Sequence, residues 1–235
     1  MGKTPGQKAA RVKGFKMSES EILRKIAVIF VTDVVGFSTL MAQNEELTLR
    51  SFRSCKEILD NLFEEHSGRI FNTAGDSVLA EFPSAVSAVI CAVEFQKLIK
   101  ARNASVPNAA QMQFRIGLNM GDVIIEGTNL YGDGVNVAAR LEALSQAGGV
   151  CLSKSIHDFV SQKVDLGFQD IGAQQVKNTN VHAFDVSIGG LAPRQIAPTP
   201  PAIEPVEAGA PPSIAVLPFK NMSTDAEQEY FADGV

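Results

Sequence analysis

The chain is short of the features that mark several common classes. It has only three cysteines, Cys55, Cys91 and Cys151, far apart and with no CxxC pair. That excludes a disulfide-stapled scaffold and a cysteine zinc site, and it points to reduced thiols. Cys91 lies inside an apolar helical run and reads as core. No stretch reaches the roughly 18 apolar residues of a membrane span. The N-terminus has no apolar segment of the signal-peptide kind. Basic charge is not in excess, since the formal net charge is -5, so a protein that holds a nucleic-acid backbone is not expected. Soluble, cytoplasmic placement is the resulting expectation. Lys3, Lys8, Arg11, Lys13 and Lys16 form a local basic exception, read as part of a flexible tail over residues 1–20.

What the chain does have is ordinary globular composition, 45% hydrophobic and 20% charged over 235 residues. Ile26–Val31 is a continuous, β-branched apolar run, which predicts a buried central strand ending near Asp33. Leu47–His66 has helical apolar spacing and stops at Gly68. Arg69–Phe71 and Val78–Phe82 flank Ala74-Gly75-Asp76 and predict a hairpin. Ser84 caps a helix that runs to about Arg102. Phe114–Met120 and Val123–Glu126 read as strands separated by a kink or bulge at Gly121-Asp122. A helix over Val135–Leu144, a strand over Val150–Ser153 and a short helix over Ser155–Gln162 follow. Strands over Phe168–Val176 and His182–Ile188 close the domain. The order predicts an α+β fold with a ferredoxin-like βαββαβ core and extra strands and helices.

Composition changes after residue 190. Seven of the eleven prolines fall between Pro193 and Pro212, which predicts an extended Pro/Ala-rich linker over 191–212. Residues 213–235 then read as the start of a second domain that continues past Val235, resembling the opening of TolB-like domains. The main folded domain is expected over 21–190.

Three segments concentrate chemistry: an acidic turn at Asp33-Val34-Val35-Gly36-Phe37-Ser38, a second at Gly75-Asp76, and Asn136-Val137-Ala138-Ala139-Arg140 on a helix. With His66-Ser67-Gly68-Arg69-Ile70, Phe114-Arg115-Ile116-Gly117 and Tyr131-Gly132 they stand in one order, and in that order they resemble the class III adenylate/guanylate cyclase catalytic domain from about Ile26 to Ile188. Each motif alone is weak, for Asp33 could be a cap and Asp76 a turn residue.

The resemblance implies a defined chemistry. The 3′-hydroxyl of a purine nucleoside triphosphate attacks its own α-phosphorus and expels pyrophosphate, assisted by two Mg²⁺ or Mn²⁺ ions. Asp33 and Asp76 would hold the metals, as hard oxygen donors suit these ions. Asn136 and Arg140 sit one helical turn apart on one face. The resemblance makes Asn136 orient the ribose and Arg140 stabilise charge on the α-phosphate. Lys177 matches a triphosphate-contacting lysine, and Phe37 falls in the substrate-binding set. In this family the carboxylates and the Asn/Arg pair come from opposite protomers, which implies a homodimer with shared sites.

The base-reading positions depart from the adenylate cyclase pattern. Asn72 stands where a lysine is usual, and Asn129 where an Asp or Thr is usual. Asparagine offers both a donor and an acceptor, so neither purine is dictated. ATP is the expected substrate, with GTP the alternative. A regulatory module that binds nucleotide or dimerises without turnover is a further reading. A diguanylate cyclase is opposed by the absence of a Gly-Gly-Asp/Glu-Glu-Phe signature.

Overall fold

The computed structural model describes residues 22–176 and 179–195. The expected N-terminal tail, Lys177, most of the linker and the TolB-like segment lie outside them. The chain divides after Gln195, and all described residues belong to the first unit. Among the described residues, no helix is long and apolar enough to cross a membrane.

The apolar run near the N-terminus forms the middle of β1 (Leu23–Val34), which is longer than its apolar core. It is followed by α1 (Phe37–Gln43), α2 (Glu45–Glu65), β2 (Arg69–Ala74), β3 (Ser77–Phe82), α3 (Ala85–Ser105), β4 (Phe114–Glu126), β5 (Asn129–Tyr131), α4 (Asp133–Leu144), β6 (Val150–Ser153), α5 (Lys154–Val160), β7 (Phe168–Val176) and β8 (Thr179–Val186). These strands form one eight-stranded sheet ordered β2-β3-β1-β4-β6-β8-β7, with β5 paired to β4. The first four strands, β2-β3-β1-β4, with α2 and α3 between them in sequence, are the βαββαβ core that the element order predicts.

The Ser84 cap acts as the sequence implies, and Asn44 adds a cap that was not anticipated. The Asn44 side chain accepts from Leu47 N at the start of α2, and Ser84 accepts from Ser87 N at the start of α3. Alternation along β1 sorts the core into two layers. Val28, Phe30 and Val34 face α2, α3 and α5, where Phe30, Phe63 and Phe82 pack mutually at ring centroids 5.1–5.7 Å apart. Ala27, Ile29 and Val31 face the other way, toward α4, with Phe71, Val123, Leu130 and Ala138. Cys55, Cys91 and Cys151 are all buried free thiols.

One expectation is corrected. Gly121-Asp122 is neither kink nor bulge, because β4 pairs with β1 in unbroken register from Phe114 opposite Val34 to Ile125 opposite Leu23. Gly121 is small for a packing reason, since it lies under Gly134 of α4. Register shifts occur instead on β2, between Ile70 and Asn72, and on β7, between Asp170 and Gly172. Three elements were not anticipated: α1, which has no fully buried residue, the three-residue β5, and a 3₁₀ turn over Asn108–Ala110.

Candidate active site

The α4 face of the sheet carries the candidate site. Asp33 continues the Ala27, Ile29, Val31 alternation, so its side chain emerges on this face at the end of β1. Asp76 sits in the β2–β3 turn beside Gly75, whose φ of 65° suits a residue without Cβ. The Val34 backbone N–H donates to Asp76 Oδ2 at 3.1 Å, which holds the turn against β1 and brings the two carboxylates together. Burial raises the Asp33 pKa to about 6, and a shared hydrogen bond with Asp76 and its negative charge add to the rise.

Two residues that the sequence reading did not single out complete the surroundings. Arg115 stands directly opposite Asp33 in the β1–β4 register, and its charge opposes the rise at Asp33. Its Nε is buried without a hydrogen-bond partner, an orphaned donor beside two acids. Glu142 of α4 is the other, its pKa raised to about 7 by burial first and then by the charge of Asp33, with Arg115 opposing. The only sequence signal for either was Arg115's place in the Phe114-Arg115-Ile116-Gly117 motif. Glu142 had none, since it reaches this point through the seating of α4.

That seating depends on glycine. A methyl at Gly117 would overlap the backbone of Ala138 and Glu142, so the helix lies directly on the β4 backbone. The buried Asn119 Nδ2 donates to the Gly134 carbonyl at 2.9 Å and fixes the first turn of α4. Ala138 is fully buried against the sheet. Asn136 and Arg140 lie two residues either side of it, each about 200° around the helix, and so project from the opposite face. Arg140 Nη1 is buried and has no partner. One chain therefore brings Asp33 and Asp76 together and Asn136 and Arg140 together, but turns the second pair away from the first.

The other expected residues are placed as follows. Asn72 is exposed and pairs with Leu79, whose side chain packs on the α4-face cluster, so Asn72 shares that face. Asn129 is half-buried at the start of β5, and its Nδ2 donates to Tyr131 Oη at 3.3 Å. Phe37 packs against Phe52 of α2, ring centroids 5.5 Å apart, and against the first core layer, which gives it a packing role on α1. Lys177 lies outside the described residues.

The donor set suits a hard divalent cation. Both groups are carboxylates, partly accessible, with a pKa at Asp33 that a bound cation would pull down. Among the described residues no group of three or more His, Cys, Asp or Glu is arranged to hold a metal. The remaining ligands would be main-chain carbonyl, water or phosphate oxygens, the normal arrangement for Mg²⁺.

A paired-carboxylate site on a βαββαβ sheet suits a class of domain that holds divalent cations, and similarity to known proteins makes the family specific. Residues 18–187 match the family described as Adenylate and Guanylate cyclase catalytic domain, and the chain belongs to it. It is 44% identical over 223 residues to a Rhizobium meliloti protein named "Putative adenylate cyclase 3", covering 93% of this chain but 38% of that protein. The chain thus spans well under half of that relative's length. An adenylate/guanylate cyclase/hydrolase from Silicibacter pomeroyi superposes with a TM-score of 0.65 at 36% identity, over 70% of this chain and 98% of that one. The adenylyl cyclase CyaB from P. aeruginosa shares the fold, with a TM-score of 0.62 at 23% identity over 76% of this chain and all of that one.

Proposed function

We propose that the chain is an adenylate cyclase, converting ATP to cyclic AMP and pyrophosphate in intracellular signalling, and that it works as a cytoplasmic homodimer with two shared sites. The observation that carries this reading is the Asp33–Asp76 pair, locked by the Val34 N–H and faced by Arg115. Asp33 and Asp76 would hold two Mg²⁺ or Mn²⁺ ions, which supply acidification of the 3′-hydroxyl and neutralise the leaving phosphates. Arg115, with an orphaned donor beside the carboxylates, offers a cation to the phosphate oxygens. Arg140 and Asn136 of the second protomer would close the site, Arg140 countering charge on the α-phosphate and Asn136 holding the ribose. A fixed donor aimed at developing charge is worth about 3 kcal/mol where one such group has been removed from an enzyme. Asn72 and Asn129 would read the base, and Lys177 would contact the triphosphate. The name of the Rhizobium meliloti relative favours ATP over GTP.

The test is to incubate the purified chain with ATP or GTP and Mn²⁺ or Mg²⁺, with product identified by mass. Cyclic AMP made by the native chain and not by Asp33→Ala supports the reading. Cyclic GMP alone would reassign the base. The two asparagines also favour a second reading, a nucleotide-binding regulatory module, because neither carries the charge of a usual base reader. Dimers that bind triphosphate and release no pyrophosphate would establish that reading instead.

A further inference from the structure

The two base-side asparagines stand on strands that do not pair with one another. Among the described residues, β2 pairs in the sheet with β3 alone, and β5 with β4 alone. One guanidinium joins them. Arg69, three residues before Asn72, donates from Nη1 to the Thr128 carbonyl at 2.9 Å and from Nε to Glu81 Oε1 at 2.6 Å. Glu81 is itself held from β1 by Lys25, whose Nζ lies 2.6 Å from Oε2. Burial alone would raise the Glu81 pKa, but hydrogen bonds and charge from Lys25 and Arg69 bring it below the usual value. Its side chain is only 15% exposed.

The Thr128 carbonyl is a consequential acceptor. It lies in the planar peptide unit that ends at the Asn129 Cα, so fixing that oxygen fixes the plane from which the Asn129 side chain departs. The preceding Gly127 has φ 60° and no Cβ contact within 4 Å, so the turn has little packing of its own to hold it. Arg69 is therefore the brace between the turn that carries Asn129 and the strand that carries Asn72.

We infer that Arg69 is a positioning residue for purine selection, acting through Thr128 on Asn129 and along β2 on Asn72. The inference rests on the cyclase reading and on the placement of both asparagines at the base. A lysine cannot replace Arg69, because a single ammonium cannot span Glu81 and the Thr128 carbonyl with the planar fork of a guanidinium.

The experiment compares the 235-residue chain with Arg69→Met, Arg69→Lys and Glu81→Gln. It measures kcat and KM for ATP and GTP with Mn²⁺, and the affinities of 3′-deoxy-ATP and 3′-deoxy-GTP, which cannot cyclise. Both Arg69 variants should change the ATP:GTP ratio of kcat/KM about fivefold or more, chiefly through KM. The 3′-deoxy affinity ratio should follow, with half-saturating Mn²⁺ unchanged. Glu81→Gln should move the ratio the same way by less, and it reads the brace even where an Arg69 variant fails to fold. Folded variants with native ratios overturn the inference. If the native chain cyclises neither nucleotide, the cyclase reading fails, and the 3′-deoxy ratios still decide this one: a shift sustains the brace, and no shift removes it.

Discussion

At Asp33, burial and a second carboxylate oppose ionisation, and that opposition has a thermodynamic sign. The folded pKa of about 6 lies above the ordinary 3.8, so the folded state binds the proton more tightly than the unfolded one. The stability that Asp33 contributes to the metal-free protein is therefore lost as pH rises from about 4 through 6, and its full penalty stands at neutral pH. Asp33→Asn should stabilise the metal-free chain at pH 7.5 by about 1 kcal/mol after solvent screening, a Tm rise of a few degrees, and the gain should vanish near pH 4. The same variant should abolish stabilisation by Mn²⁺. In the native chain, Mn²⁺ stabilisation should fade as pH drops through about 6, because protons compete for the same oxygens. Thermal melts over a pH series with and without Mn²⁺ measure all three. Asp33 and Asp76 were legible in the sequence because each follows a strong local signal, a buried strand and a Gly-containing turn. Arg115 and Glu142 were not singled out, because their relevance arises only when β4 pairs with β1 and α4 settles on β4.

Among the elements, α4 decides whether the site has its shape. Its inner side rests on Gly117 and Gly121, and its outer side presents Asn136 and Arg140. Gly117→Ala places a methyl against helix backbone that cannot yield as a side chain would. It should cost about 3 kcal/mol, lowering Tm by roughly 10 °C, and should remove activity through displaced α4. Asn119→Ala leaves the Gly134 carbonyl without its donor and should cost about 1–3 kcal/mol. Gly36→Ala is the control, since a Cβ there meets nothing and only the left-handed φ of 68° is strained. Its cost should stay near 1 kcal/mol, read by denaturant unfolding. Long elements such as α2 and α3 were legible because apolar spacing runs over several turns, with a stop at Gly68 for α2 and a cap at Ser84 for α3. Of the short ones, β6 and α5 were legible, whereas α1, which buries no residue fully, and β5, which exists by pairing with β4, were not. Gly121-Asp122 looked like a break because glycine weakens a strand locally, whereas here it makes room for a helix.

For the whole molecule, the central question is how the two halves of the chemistry meet. Within one chain, Asp33 and Asp76 face the sheet side of α4, and Asn136 and Arg140 leave from its far side. Under the proposed function, a second protomer would supply the other pair and complete both sites by symmetry. The exit from the domain touches the same helix. Arg194 ion-pairs with Asp185 and donates to the Leu144 carbonyl at 2.7 Å, the last residue of α4. Arg194→Ala should lower Tm by a few degrees, since it strands the half-buried Asp185 carboxylate.

The most direct measurement mixes two inactive variants, Asp33→Ala and Arg140→Ala, and assays cyclic nucleotide formation after heterodimers are confirmed by native mass spectrometry. Equal mixing makes half of the dimers mixed, each with one intact site, so about a quarter of native specific activity should return. Confirmed heterodimers with no activity would contradict the shared site, as would native activity from a chain held monomeric.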